Sequence, residues 1–564
     1  MLRNITLFCI IGFIILFNPS RTFAQNLNNK FGIHLAQPSE EDIKRASELV
    51  NANGGKWGYV TLVMQDNDLD AKKWQEVFDQ LRREHLIPII RLATRGEGEN
   101  WKRPKEEDID SWLTFLNSLN WVIKDRYIVL FNEPNHATEW GGEVDATDYA
   151  HVALAFAQAF KQSNPDYFIM FAGLDASAPS DLPHFEDEAV YMRKIVTEIG
   201  VDNVNANIDG LASHSYPNPG FVGSPLASGR GTIRTYEWEL SLLQSLGITK
   251  KLPVFITETG WRGDKVGRER AADYLRTAFD LVWLPDDRIV AVTPFVLNYQ
   301  SEPFLGFSWI TQGNGGVHPE YVKVQSLKKT VGEPQIIDTG TFTFDLPHEI
   351  TAKSTYHFQI DLTNTGQAIW SDEEGYFLRM NNVNKNQYLS SSFIYTEPSQ
   401  KRIFDVYFST GVTEQLQDIS FSLVKNDKEV VRSGNWNVDI VPLPSLTFNA
   451  WLFPKLKFEN ENIEIQVFDK YEQLVFSSDA LQLKNGVGTI DSIENIALDE
   501  QYRIVILAPY YLPRQLYTTF QKDENTITFA PLLPFDFDSD GKFTFSDVTT
   551  FIAHPTLWYL ISIM

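Results

Sequence analysis

The 564-residue sequence contains one cysteine, Cys9. Disulfide frameworks, thiolate metal sites and cysteine nucleophiles are therefore excluded for the rest of the chain. Positive charge is also scarce: 49 Lys and Arg stand against 73 Asp and Glu, a formal net charge of −24. Such a surface repels nucleic acid and anionic lipid, because polyanion binding depends on basic patches. Long apolar runs are missing as well. The run from Ile5 to Phe17, preceded by Arg3, is too short for a comfortable membrane span. Followed by Thr22-Phe23-Ala24, it reads as a secretory signal peptide over residues 1–24, cut after Ala24. The mature chain is then expected to be secreted or cell-surface, free of cysteine and not embedded in a lipid bilayer. The 10 histidines form no His-x-x-x-His cluster, which disfavours a zinc hydrolase.

What is present is globular in character, with 43% hydrophobic and 22% charged residues, and the length implies several domains. Aromatics reach 13%, with 14 Trp, a composition suited to large flat polar ligands. Over residues 25–332, eight short apolar runs read as strands: Phe31–Leu35, Tyr59–Met64, Ile87–Leu92, Tyr127–Phe131, Phe168–Ala172, Ile208–His214, Val254–Thr257 and Ile289–Leu297. Helix-periodic segments separate them, such as Trp74, Val77, Phe78, Leu81 at i, i+3, i+4, i+7. Eight strands alternating with helices predict a (β/α)8 barrel. A doubly wound sheet would want a Gly-rich loop after the first strand, and Phe31-Gly32-Ile33-His34-Leu35 is not followed by one.

After Gly332-Glu333-Pro334 the period changes to two. Tyr356, Phe358, Ile360 and Leu362 alternate with polar residues, as do Ile419, Phe421, Leu423 and Trp436, Val438, Ile440. This predicts a β-sandwich over 333–442. Val441-Pro442-Leu443-Pro444 makes a stiff join to a β-rich module over 443–533, and a distinct segment occupies 534–564.

Two strand ends carry carboxylates. The fourth ends Phe131-Asn132-Glu133-Pro134-Asn135, and the seventh ends Ile256-Thr257-Glu258-Thr259-Gly260-Trp261. In a barrel the C-terminal strand ends converge on one mouth, so Glu133 and Glu258 are expected to face each other there. Retaining glycoside hydrolysis needs such a pair about 5–5.5 Å apart, one an acid/base and the other a nucleophile. Alone, each motif is a turn with a charge in it. Together, on the right strands, they form a constellation.

These signatures, over residues 28–325, resemble those of clan A retaining glycoside hydrolases, of family 5/39-like barrel type. The resemblance implies Glu133 as general acid/base, Glu258 as nucleophile, and Asn132 as the partner of the sugar hydroxyl beside the anomeric carbon. His214 and Tyr216, in Ser213-His214-Ser215-Tyr216-Pro217, fall where the clan often has a His and a Tyr. Tyr216 would then hold Glu258 ionised and His214 would line the rim. Arg91 would be a charge partner, although the clan's arginine usually lies nearer the second strand. Trp261, Trp140 and Trp309 are the expected sugar platform. The implied activity is hydrolysis of O-glycosidic bonds in a polysaccharide or oligosaccharide, with no catalytic cofactor. The alternative is a non-catalytic carbohydrate-binding or adhesive surface protein on a degenerate barrel, which would not need the carboxylate pair.

Further on, Asn364-Thr365-Gly366…Trp370 resembles a turn of immunoglobulin-like modules, with Trp370 as core. In the last segment, Asp536, Asp538, Asp540, Lys542, Thr544 and Asp547 fall on calcium-loop positions, with Gly541 at the sharp turn and Lys542 lending its carbonyl. The loop resembles half of a dockerin. Ca2+ is the expected ion, and a cohesin-like or cell-surface protein the expected partner, although no second loop follows.

Overall fold

The computed structural model describes residues 28–313, 315–382, 387–389, 395–411, 416–454, 462–554 and 556. The expected signal peptide and the apolar end from Leu557 to Met564 lie outside them. The chain forms two compact units that divide between Ile337 and Asp338.

In the first unit, among the described residues, eight barrel strands alternate with eight principal helices, beside a short hairpin of Gly96–Glu97 and Asn100–Trp101. The strands are β1 (Gly32–Leu35), β2 (Gly58–Gln65), β3 (Leu86–Ala93), β4 (Arg126–Leu130), β5 (Tyr167–Phe171), β6 (Leu211–His214), β7 (Val254–Glu258) and β8 (Ile289–Val292). The helices are α1 (Glu40–Val50), α2 (Ala71–Arg83), α3 (Ile109–Ser118), α4 (Ala146–Ser163), α5 (Glu188–Ile199), α6 (Thr235–Ser245), α7 (Arg268–Ala278) and α8 (Pro319–Gln325). Strands β1 to β5 pair in parallel, in order, and so do β6 to β8. Single parallel bridges, Met170 to Gly210 and Phe31 to Val292, join the two arcs into a closed cylinder. This is a (β/α)8 barrel, and every strand points its C-terminal end to the same mouth.

Local chemistry explains the alternation. Ser39, Asp70, Asp145 and Asp187 cap α1, α2, α4 and α5 by accepting N–H bonds of the first turn. The predicted stripe Trp74, Val77, Phe78, Leu81 is buried against the barrel. The strands themselves are apolar almost throughout because both faces are covered, one by barrel interior and the other by helices.

The second unit begins with two sheets packed face to face. One comprises Gly340–Thr343, Thr355–Asn364 and Lys401–Ser409; the other includes Trp436–Val441, Leu416–Lys425 and Tyr376–Asn382. Trp436 joins them, with its ring 5.2 Å from Phe358 and 5.6 Å from Phe408. Trp370 is fully buried and donates its indole N–H to Asp338 at 3.0 Å. Between 445 and 528 the described residues form a further pair of sheets, of three and four strands, around a second core. A terminal helix, Phe545–Ala553, stacks Phe551 on Phe537 at 5.1 Å.

Closing the barrel leaves no room at Gly32. A Cβ there would lie 2.6 Å from Thr293 Cγ2 and 2.9 Å from the Tyr59 carbonyl. Gly32→Ala is therefore expected to destabilise the barrel by about 1–3 kcal/mol and lower its thermal midpoint. Gly96→Ala, where nothing lies within 4 Å, should leave the midpoint unchanged in the same calorimetric scan.

Candidate active site

Glu258 is the last residue of β7, and its carboxylate is almost enclosed. Arg91 at the end of β3 pairs with Oε1, and the Tyr216 hydroxyl donates to Oε2 at 2.9 Å. His214 Nδ1, at the end of β6, lies 4.0 Å from Oε2 and His34 Nε2, on β1, 3.9 Å from Oε1. Burial alone would raise this carboxyl, but His214 and Arg91, with the Tyr216 hydroxyl, outweigh it and hold it at about 2.

Glu133 faces it from the turn after β4. His214 Nδ1 donates to Glu133 Oε1 at 2.7 Å, so one imidazole nitrogen serves both carboxylates. Burial disfavours a charged imidazole, but Glu258 and Glu133 outweigh that and raise the His214 pKa. Asn132, between the two, receives Arg91 Nη1 on Oδ1 at 2.7 Å. Arg91 thus spans a carboxylate and an amide, which fixes the position of both.

The turn that presents Glu133 is strained. Phe131 and Glu133 have φ of 74° and 30°, in the left-handed region, at a cost of about 1–3 kcal/mol each. Packing over-determines it. The Phe131 ring sits 5.7 Å from Trp140 and 5.3 Å from Phe156, and the Glu133 N–H donates to the Gly173 carbonyl at 3.1 Å.

The expected tryptophan platform is corrected. Trp140 is fully buried with its indole N–H on Asp148 at 2.9 Å, so it anchors the strained turn. Trp261 is also buried; it donates to the Gly223 carbonyl at 2.8 Å and packs on Tyr274. Trp309 is enclosed in the barrel core. The aromatic at the end of β8 is instead Phe295, which meets His34 edge-on at 5.1 Å and continues to Phe304 and Phe307. Phe307 meets Phe221, and both meet Tyr216, making an aromatic wall on the Glu258 side of the mouth. Phe221 belongs to the segment 217–232 after β6. That segment is fixed to its neighbours through Trp261, the Arg262 N–H and Asn218.

Other participants went unnoticed in the sequence. His34 is buried, and its two ring nitrogens have no hydrogen-bond partner among the described residues. Burial and then Arg91 push it down to about 3, so it is neutral. Its signal was a lone histidine in an apolar strand. Burial together with the charge of Glu133 pushes the Glu139 carboxyl up to about 7. Gly173 lets His214 approach: a Cβ there would lie 2.3 Å from the imidazole Cδ2. His136 pairs with Asp175 at 2.9 Å.

In the terminal segment Asp536, Asp538 and Asp540 bring carboxylate oxygens within 4.8 Å of one another, and Asp536 accepts the Gly541 N–H. That donor set of hard oxygens is one calcium takes. The other expected ligands make local contacts within the segment. Asp547 accepts the N–H groups of Phe537 and Thr544 at 2.8 and 2.6 Å, and with Thr544 it closes the capping box of the terminal helix. Lys542 donates its N–H to Asp540 at 2.8 Å.

No protein-family model matches the sequence. No curated protein matches it either. Among solved structures, XacCel5A is 14% identical over 54% of this chain and 100% of its own, with a TM-score of 0.39. The endo-β-1,4-glucanase Xac0029 from Xanthomonas axonopodis pv. citri is 13% identical over 52% of this chain and 97% of its own, TM-score 0.35. The catalytic domain of a mannanase from Streptomyces sp. SirexAA-E is 15% identical over 50% and 79%, TM-score 0.33. Likenesses this distant carry no argument about activity, which rests on the site itself.

The depressed Glu258 carboxyl has a consequence for stability. Its charge–charge stabilisation is present above the ordinary value of 4.5 and is lost as pH falls toward about 2. Arg91→Met removes a partner, so the carboxyl should titrate higher. Urea midpoints measured between neutral pH and about pH 3 should then fall less steeply than in the wild type, from a lower starting value.

Proposed function

We propose that this protein is a glycoside hydrolase that cleaves O-glycosidic bonds of an oligosaccharide or polysaccharide with net retention. The observation that carries the reading is the shared His214 nitrogen, 2.7 Å from Glu133 and 4.0 Å from Glu258. Those two contacts bring the carboxyls to one nitrogen and so admit the ~5–5.5 Å separation of a double displacement.

Glu258, held ionised by Arg91, Tyr216 and His214, attacks the anomeric carbon. Glu133 Oε1 is occupied by His214, so the second oxygen carries the proton delivered to the leaving group. Formation of the glycosyl ester removes the Glu258 charge. Glu133, now a carboxylate steadied by His214, takes a proton from the incoming water, which releases the sugar with its original configuration. Asn132, locked by Arg91, presents its amide beside the anomeric centre, where a contact that tightens in the oxocarbenium-like transition state lowers the barrier. The aromatic wall of Tyr216, Phe221 and Phe295, backed by the buried Phe307, supplies an apolar face for a sugar ring. Residues 1–24, as a cleaved leader, would put the enzyme outside the cell with its polymer.

A polysaccharide panel with anomer detection by NMR tests the reading. Glu133→Gln should lower turnover by ~10²–10⁴-fold and Glu258→Ala should abolish it. First-formed product of inverted configuration would exclude the double displacement. Glycan binding without turnover, equal in wild type and both variants, would favour the binding-protein alternative.

We also propose that Asp536, Asp538 and Asp540 hold Ca2+. Mutual repulsion adds to burial in raising the Asp536 carboxyl, and a divalent cation would relieve it. Calorimetry should record Ca2+ uptake that Asp536→Ala and Asp540→Ala each remove; uptake unchanged in both would end the idea.

A further inference from the structure

A half-exposed pair borders the turn that presents Glu133. His136 Nε2 lies 2.9 Å from Asp175 Oδ2, and the contacts around them close a ring. His214 bonds Glu133 Oε1, the chain at His214 bridges to the chain at Asp175, and the His136 N–H donates to the Glu133 carbonyl at 2.9 Å. The pair is more open than the nucleophile, with side-chain exposures of 21% for His136 and 26% for Asp175 against 11% for Glu258. Asp175 Oδ1 accepts the N–H and the hydroxyl of Ser177, both at 2.8 Å. A carboxylate has about four acceptor sites, so one stays open on Oδ2. His136 Nδ1 has no hydrogen-bond partner among the described residues. Ser177 in turn accepts from Asn218 at 2.8 Å, so polar groups run from the acid/base turn to the segment that carries Phe221. Holding these loops together is the work of Asn135, which is fully buried. Its Oδ1 accepts the Asp175 N–H at 3.2 Å, and its Nδ2 donates to the Asp175 and Glu186 carbonyls at 3.0 and 3.2 Å. An ion pair as exposed as His136–Asp175 adds little to that.

We propose that His136 and Asp175 recognise the sugar on the leaving-group side of the cut, binding its hydroxyls through Nδ1 and the open site on Oδ2. The assignment rests on the glycosidase reading. Glu133 protonates the glycosidic oxygen, so the departing sugar lies against the Glu133 side of the mouth, where this pair stands. A hydroxyl both donates and accepts, and a charged partner strengthens either bond. Phe185, half-buried and edge-on to the imidazole at 4.9 Å, gives the departing ring an apolar neighbour. The substrate class so selected is a chain with a sugar on both sides of the cut, rather than a glycoside of an apolar alcohol.

Paired substrates test this on the full chain: an oligosaccharide that the wild type cleaves, and the para-nitrophenyl glycoside with the same sugars on the Glu258 side. The nitrophenyl leaving group has no hydroxyl for the pair to bind. His136→Ala should lower kcat/KM ~10–100-fold on the oligosaccharide and leave the nitrophenyl glycoside within about twofold of wild type. Asp175→Asn should show the same selectivity, to a smaller extent. Equal losses on both substrates, or no loss on either, would overturn the proposal and leave the glycosidase reading in place. A wild type inert across the whole polysaccharide panel and on nitrophenyl glycosides would overturn both together. Should His136→Ala not fold, Asp175→Asn, which keeps the shape of the side chain, decides alone.

Discussion

A single buried charge organises the mouth of the barrel. The Glu258 carboxylate sits where desolvation alone would neutralise it, and it stays ionised because His214, Arg91 and Tyr216 arrive from two other strand ends, those of β3 and β6. Each of those groups has a second task. Arg91 holds Asn132, His214 holds Glu133, and Tyr216 opens the aromatic wall. Removing the charge would therefore loosen the whole mouth, since a buried cation cluster without its anion is as costly as the anion alone.

Local strain is concentrated where the second carboxylate must project. Two consecutive-but-one residues, Phe131 and Glu133, adopt conformations that side-chain-bearing residues avoid. Trp140 and Phe156 clamp the first, and the backbone of Gly173 receives the second. The bare α-carbon of Gly173 also lets the His214 imidazole lie directly against it. One glycine thus supports both ends of the His214–Glu133 bond, by a carbonyl on one side and a missing Cβ on the other.

Much of the barrel was legible because strand and helix periods depend on nearest neighbours. The eight apolar runs overlap the eight strands, and the stripe from Trp74 to Leu81 is buried. Glu133 and Glu258 stood out because a carboxylate at the end of an apolar strand is energetically conspicuous. His34, Glu139 and Gly173 did not, since an isolated histidine, a loop glutamate and a glycine after a strand are each ordinary by themselves. The tryptophans misled for a related reason. A large ring near a motif is equally compatible with a wall, a clamp and a platform, and the path of the loops decides among them. Loop paths likewise decided the fate of Asp547, whose carboxylate at a calcium-loop position turns to cap the terminal helix.

By itself, then, the sequence determined the alternation of elements, the β-rich second half, the acidic balance and the two strand-end carboxylates, because these follow from local period and composition. Only the tertiary structure decided that residues separated by up to more than a hundred positions share one imidazole nitrogen, and that Tyr216 and phenylalanines form the aromatic wall at the mouth. Those relations arise from closing the cylinder, which brings every strand end to one mouth and which no local window of the sequence contains.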